Sequence, residues 1–441
     1  MAKLRIKPTL DSMLAIMNEQ DARPLSRDDF PENIFQLLLS DRAKLDKVNR
    51  LINEASGFYL AVELVKSGKY RFQLNPNAPP AELPGMLLSS ELVNYYKQGV
   101  KPASFGEGLR TFFGLVLSIF PFEHKLVLLD EPELHLHPPL VRRLAQELVR
   151  EIRSRNGQMI VATHSADFIA GCIEVADEMA MVRLTHSKIT SRSTTTIVSK
   201  PELEPFITNR VIRNTDALNG IFHSCVVVVE GALDKIAYSE FNRSLQTNRP
   251  SKHISDAHFV SAGSCAQVLN VTESVRRTGT PTAAILDFDV LYDGIVWNEE
   301  MLSSLGVPQL AAESFVQQIM QVKAALQIKL DGLAKDAVKK ALKHEGLSLL
   351  AGEGRILAED LLLKLRAYGV FVLPQGEMET MVANTLLFSR KNLSKDEIVI
   401  ENGMKKLANN EFQIPADVSN PLTSMWGLLS NVAEWVRKSL E

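Results

Sequence analysis

Two short segments carry acids at spacings that could do chemistry. CVVVVEGALDK runs an apolar stretch into Glu230 and Gly231 and sets Asp234 four residues on; PTAAILDFDVLYDG ends a second apolar stretch on Asp287 and Asp289. A helix opening after Gly231 would place Glu230 and Asp234 on one side of its first turn. Asp287 and Asp289, two apart on a strand, would face the same way, with Phe288 facing the other. Ligands of open parallel sheets gather at the carboxyl ends of strands, so two neighbouring strands ending this way would bring three or four negative charges to one spot. That is costly unless cations neutralise it. Hard oxygen donors favour Mg²⁺ or Mn²⁺, and a cation held there can activate a water and stabilise the leaving oxygen of a phosphodiester. Any one of these acids alone reads as a helix cap or loop acid; the combination points to a metal site.

A second constellation lies upstream. LVLLDEPELHLHP, residues 126–138, puts an apolar strand before Asp130 and Glu131, the arrangement in which an aspartate holds Mg²⁺ and a glutamate orients an attacking water. MIVATHS sets His164 at the tip of the next strand, within reach of a γ-phosphate, and SFGEG at 104–108 precedes a helix whose N-terminus could bind phosphate. The phosphate cradle GxxxxGK[ST] is missing from these 441 residues. The first glycine is Gly57, and Gly68-Lys69 is followed by Tyr70, with Glu63 where the first P-loop glycine belongs. ATP hydrolysis by this chain alone is therefore not expected. A truncated gene, a split protein with its Walker A on a separate chain, or a degenerate scaffold would each explain the gap. The retention of Glu131 and His164 favours the first two.

The elements that must position these residues follow from periodicity. The spacing predicts a helix over 107–119, a buried strand to Asp130, and a helix after Pro138-Pro139 with Leu140, Val141, Leu144, Leu148 and Ile152 on one stripe. A buried strand QMIVATH follows. Strand, helix and strand with continuous apolar strands imply a parallel sheet covered on both faces. A Ser/Thr-rich loop, 187–196, precedes a boundary near 200–222. Residues 308–366 read as helices, FVLPQGEME returns to strand at 371, and an amphipathic helix over 422–440 closes the chain.

Composition sets limits. Net charge is −3 with 45% hydrophobic and 23% charged residues, so any nucleic-acid surface is a local patch. Cys172, Cys225 and Cys265 lack the paired spacings of zinc sites or disulfide frameworks, which fits a reducing compartment. No apolar run approaches the roughly 20 residues of a membrane span, and MAKLRIKPTL lacks a leader's apolar core, so a cytoplasmic location without membrane contact is expected.

Residues 100–170 resemble, in order, the signature loop, Walker B strand and switch histidine of ABC ATPases, and DEPELHLHP is similar to the SMC, RecF and OLD (overcoming lysogenisation defect) branch. The resemblance implies signature residues Ser104, Gly106 and Gly108, nucleotide-side carboxylates Asp130 and Glu131, and a switch at His164. Strand-Glu-Gly followed by strand-Asp-x-Asp resembles the Toprim domain of topoisomerases, DnaG-type primases and OLD nucleases. It implies catalytic, metal-holding Glu230, Asp287 and Asp289, with Asp234 as the further acid one turn on. LPQGEMET is similar to a later acidic segment of that family, so Glu377 and Glu379 become candidate metal ligands, sharing a face if the strand runs through them. The family's basic residue near the scissile phosphate could be Lys391 or Lys395, though surface lysines explain both better. Gly263-Ser264 could form a tight turn near the metals.

Lys335, Lys339 and Lys343 recur every four residues, with Lys340 beside them; such a face could follow a phosphate backbone, although a solvated face explains it well. His135 and His137 flank Leu136, but their place beside the Walker B strand argues against zinc.

The expectation is an α/β chain: a partial ABC ATPase-like parallel-sheet domain over 1–200, a linker over 201–223, a Toprim α/β domain over 224–390 with a helical insertion at 308–366, and a C-terminal helical segment over 391–441. The resemblance implies a Mg²⁺- or Mn²⁺-dependent nuclease cutting DNA, regulated or dimerised by the ATPase-like portion, as a homodimer or higher oligomer in antiphage defence. ATP enters only if a Walker A is supplied by missing sequence or another chain. Two rivals stand: a Toprim effector that cuts RNA such as tRNA, and a non-enzymatic SMC- or RecF-like scaffold that binds DNA.

Overall fold

Strands and helices alternate through the computed structural model, which describes residues 3–6, 15–21, 31, 33–65, 68–80, 90–187, 191–293, 295, 297–387, 396–409, 411–415, 418, 420, 422 and 424–440. The fold is α/β, in two compact units, Met1–Met179 and Ala180–Glu441.

In the first unit the strands are β1 (Lys3–Ile6), β2 (Gln20–Asp21), β3 (Tyr59–Val65), β4 (Lys69–Asn75), β5 (Leu126–Asp130) and β6 (Gln158–Ala162). β1, β5 and β6 form a parallel sheet with β5 in the centre, and β2, β4 and β3 form a small antiparallel sheet. Gly68-Lys69 falls at the β3–β4 connection, with Gly68 at φ +73°. A hairpin turn, not a strand-to-helix phosphate loop, explains that Gly-Lys pair.

The expected helices form at Glu107–Ile119 and Pro138–Ser154. Two prolines open the second, where a missing amide costs nothing. Leu144 and Leu148 of that helix, Phe112 and Phe113 of the first, and Val127 and Leu129 of β5 pack into one core. The expectation that this sheet is covered on both faces fails. Along β6, Gln158, Ile160 and Ala162 are exposed while Met159 and Val161 are half-buried, and Ile160 is 63% accessible. Helices cover only one side of this sheet among the described residues.

In the second unit the strands are β7 (Ala180–Ser187), β8 (Arg192–Ser199), β9 (Cys225–Val229), β10 (Ala257–Ser261), β11 (Thr282–Leu286) and β12 (Val370–Val372). Half of the stretch expected to be a Ser/Thr loop, residues 192–196, belongs to β8, paired antiparallel with β7. Its β-branched threonines suit a strand better than their polarity suggests, and Thr185 and Thr194 hydroxyls meet across the pair at 2.8 Å. The segment expected to be a linker is folded too: Phe206, Ile212 and Ala217 are buried in this unit's core.

β9 to β12 form one parallel sheet in the order β10-β9-β11-β12. β9 and β11 are buried along their whole length, because helices cover both faces. Val226, Val228 and Leu286 face a core with helices Cys265–Arg277, Gln309–Leu330 and Gly352–Ala367. Val227, Val229 and Ile285 face another with helices Ala232–Asn248 and Met425–Leu440, where Phe241 and Trp426 rings lie 4.7 Å apart. The helices between β11 and β12 are thus part of the fold's own core. The chain leaves β9 for β10 on one side and returns to β11 on the other, which makes the carboxyl ends of β9 and β11 a topological switch point.

Candidate functional site

Glu230 is the first residue past β9. Its carbonyl accepts the Gly263 amide at 2.6 Å and the Ser261 hydroxyl at 3.2 Å. Gly263, at φ +90°, adopts the left-handed geometry glycine tolerates, so the tight turn expected at Gly263-Ser264 exists and fixes the Glu230 backbone. Gly231 caps helix Ala232–Asn248, and Asp234 reaches back to accept the Gly231 amide at 2.8 Å.

Asp287 and Asp289 reach the same corner by a different route from the one expected. β11 stops at Leu286, and Phe288–Leu291 turn into a 3-10 helix capped by Asp287. A tight turn, not a pleated strand, sets their common direction. Phe288 is fully buried, and its amide donates to the Gly376 carbonyl at 2.7 Å. Glu377 and Glu379 also depart from expectation. β12 ends at Val372, and Glu377 is the N-cap of helix Met378–Thr385 with Glu379 in its first turn. Pro374 and Gly376 turn the chain out of the strand, so no pleat aligns these two acids. Glu379 still lies close enough for its charge to act on Asp287.

The electrostatics are those of carboxylates taken out of water beside one another. Burial first, then the charges of Asp289 and Asp234, push the Glu230 carboxyl up to about 7. Burial also raises Asp234, Asp287 and Asp289, with Glu230 acting on Asp287. Glu230 Oε1 is buried without a hydrogen-bond partner, a group that normally finds one. Among the described residues, no three acidic, His or Cys side chains already stand in a cation-coordinating shell.

One residue of the site was not assigned there from sequence. Lys343, read as one member of a basic helix face, donates to Glu377 Oε2 at 2.5 Å, and Glu377 is only 1% exposed. Burial works against the Lys343 charge, but the bond to Glu377 and the surrounding carboxylates outweigh it and hold the ammonium above its ordinary range. The Lys343 carbonyl also accepts the Glu377 amide at 3.1 Å and the Thr380 hydroxyl at 3.2 Å. Its four-residue spacing from Lys339 gave the helix face; its burial could not be read from spacing. Lys391 and Lys395 lie outside the described residues.

In the first unit, Asp130 ends β5 and Glu131 follows at φ +50°, a backbone region that costs a non-glycine residue about 1 kcal/mol or more and clusters at functional sites. His164 Nε2 lies 3.5 Å from Glu131 Oε1, and both side chains are accessible. Glu133, not singled out from sequence, accepts the Thr163 hydroxyl at 2.6 Å and the His164 amide at 2.7 Å, so it positions the switch candidate. Its signal was its place three residues after Asp130. Ser104 ends a short 3-10 turn, and Gly106 caps helix Glu107–Ile119. Gly108 packs so closely on the loop after β5 that a Cβ would stand 2.3 Å from the His135 carbonyl oxygen. Signature and Walker B candidates therefore adjoin. Cys172 and Cys225 are buried and Cys265 half-buried, all as free thiols.

Residues 3–170 match the family model described as AAA domain, putative AbiEii toxin, type IV TA system, so this portion of the chain is similar to an AAA-type ATPase domain. A stretch of 43 residues is 54% identical to protein ea59 of Escherichia phage lambda, spanning 10% of this chain and 8% of that protein's length. Among solved structures, an SMC ATPase reported for ATP-driven dimerisation and DNA-stimulated activation is similar at TM-score 0.27 and 14% identity, over 40% of this chain and 96% of the other. An SmcHead bound to the C-winged helix domain of ScpA is similar at TM-score 0.28 and 14% identity, over 44% of this chain and 55% of the other. Both overlays are too weak to carry an argument. No helix among the described residues is long and apolar enough to cross a membrane.

Proposed function

We propose that the second unit is a Toprim-type, Mg²⁺- or Mn²⁺-dependent nuclease that cuts DNA phosphodiester bonds, and that the ATPase-like portion regulates or dimerises it, as in OLD-family proteins of antiphage defence. The observation that carries this reading is the meeting of Glu230, after β9, with Asp287 and Asp289, after β11, at the switch point of a parallel sheet, with their carboxyls raised by burial and mutual repulsion.

That donor set fits a hard divalent cation: all oxygen, mostly buried, and including the unpartnered Glu230 Oε1. Glu230, Asp234, Asp287 and Asp289 would hold it, with Glu377 and Glu379 behind them. The ion would acidify a water and offset charge on the phosphate. The protein's own part is positional. The Gly263 amide and Ser261 hydroxyl fix Glu230, the Phe288–Gly376 bond fixes the Asp287–Asp289 turn, and Lys343 sets a fixed positive charge beside the acids.

Nicking of supercoiled plasmid in Mg²⁺ or Mn²⁺ tests this. Wild type should convert it to open circles, while Asp287→Ala and Glu230→Ala should not. Equal inactivity of all three on plasmid and on tRNA would remove the nuclease reading, and cleavage of tRNA alone would transfer it to RNA.

A further inference from the structure

Helix Lys335–Glu345 ends in the acid cluster, and it carries a row of cations that leads away from it. Lys343, at its inner end, is anchored to Glu377. Lys339 and Lys335 follow at four-residue steps, about 6 Å apart along the axis, so the row extends roughly 12 Å outward from the acids. Successive steps of four turn by only about 40°, which keeps all three on one side. Lys335 and Lys339 are exposed, and the Lys339 charge is felt at Asp289.

A solvated helix face is the ordinary account of such lysines, and this unit pairs some of its surface cations along their own helices. Arg277 pairs with Glu273 at 2.6 Å, Arg355 with Glu359 at 3.0 Å, Lys364 with Asp360 at 2.6 Å, Lys405 with Glu401 at 2.7 Å and Lys438 with Glu434 at 2.8 Å, each four residues away on its own helix. Lys335 and Lys339 have no carboxylate at ion-pair distance among the described residues, although Asp336 shares their helix. Exposed Arg210, Arg213, Arg249 and Lys329 of this unit are likewise without a carboxylate at ion-pair distance among the described residues, so what sets Lys335 and Lys339 apart is their place in a row that Lys343 anchors beside the acids. Duplex DNA carries a charge about every 3.4 Å of rise on each strand, so a row of this length spans several phosphates.

The geometry points to the Lys335–Lys339 face as the track that holds the DNA backbone as it leaves the acid site, with Lys335 and Lys339 each contacting a phosphate outside the one attacked. This deepens the nuclease reading and rests on it. Nothing in the track reads base sequence: phosphate contacts position the duplex and give salt-dependent affinity.

The test is fluorescence-anisotropy binding of a labelled DNA duplex to the full chain in Ca²⁺, over a series of salt concentrations, for wild type, Lys335→Gln/Lys339→Gln and Lys405→Gln. Each lost phosphate contact lowers the slope of log affinity against log salt by about 0.9, so the double variant should lose about 1.8. Lys405→Gln, on helix Asp396–Ala408 and paired with Glu401, should lose nothing. Matched thermal melts show that the variants are folded, as substitutions at exposed helical positions should be.

If wild type nicks plasmid but the double variant keeps the full salt slope, the track is wrong and the nuclease reading stands. An equal loss in Lys405→Gln also overturns the track. If wild type neither nicks plasmid nor binds the duplex, or binds only an RNA of the same length, both fall.

Discussion

Lys343 Nζ stands 2.5 Å from Glu377 Oε2, and it joins two parts of the chain that are far apart in sequence: the helical stretch between β11 and β12 and the acid loop after β12. Glu377 is 1% exposed, and the ammonium is a close counter-charge to its carboxylate, with His344 Nε2 4.0 Å from the other oxygen. Removing one partner of a buried pair leaves an uncompensated charge. Lys343→Met should destabilise the second unit by roughly 3 kcal/mol, the low end for such a break because Lys343 is only half-buried. Urea unfolding monitored by tryptophan fluorescence reads this, since Trp426 lies in that unit's core. A change within about 0.5 kcal/mol, typical of a surface substitution, would mean the pair is not holding the acid loop.

The raised carboxyls make stability depend on pH in a defined direction. Glu230 moves from an ordinary 4.5 to about 7 in the folded chain, so the folded state holds that proton more tightly than the unfolded one. Its stabilising contribution is complete below about pH 4.5 and is lost as pH rises through about 7. Asp234, Asp287 and Asp289 shift the same way. Without divalent cation, the melting temperature should therefore fall between about pH 5 and about pH 8. Added Mn²⁺ should restore it at the higher pH and do little at the lower. Equal effects of Mn²⁺ at both values would separate the ion from these acids.

Glu133 should matter to the first unit's order. Its carboxylate holds both the Thr163 hydroxyl and the His164 amide, and hydrogen bonds to a charged group contribute about 2 kcal/mol. Glu133→Ala should raise the hydrogen-exchange rate of the His164 amide and of the loop after β6, with the β9 and β11 amides unchanged. Unaltered exchange at His164 would remove Glu133 from this role.

Much of this was legible in the sequence because it is local. Apolar runs ending in acids gave β5, β9 and β11 and the residues at their tips, and the helices over 107–119, after Pro138-Pro139 and within 308–366 were legible too. What spacing could not give was geometry decided by tertiary contact. Asp287 and Asp289 share a direction through a 3-10 turn held by the Gly376 carbonyl, and no local signal marks a partner so remote in sequence. Gly376 itself is at φ +105°, where a Cβ would stand 2.0 Å from the Lys343 carbonyl oxygen. The same contact turns Glu377 out of strand geometry, and Lys343 became part of the site for the same reason. In the first unit the failure ran the other way. QMIVA has the composition of a strand buried on both sides, yet Ile160 is exposed, because burial depends on a second covering layer that composition cannot supply.

Mn²⁺ titration of the full chain, followed by the loss of the free-ion paramagnetic resonance signal, tests the central claim most directly. Wild type should bind saturably. Asp287→Asn and Glu230→Gln, which remove ligand charge with little change of shape, should each weaken binding by more than about tenfold, at least the loss seen when an outer-shell partner is removed. Lys405→Gln should bind as wild type does. Saturable binding unchanged in both acid variants, or none in wild type, would contradict a cation site between β9 and β11.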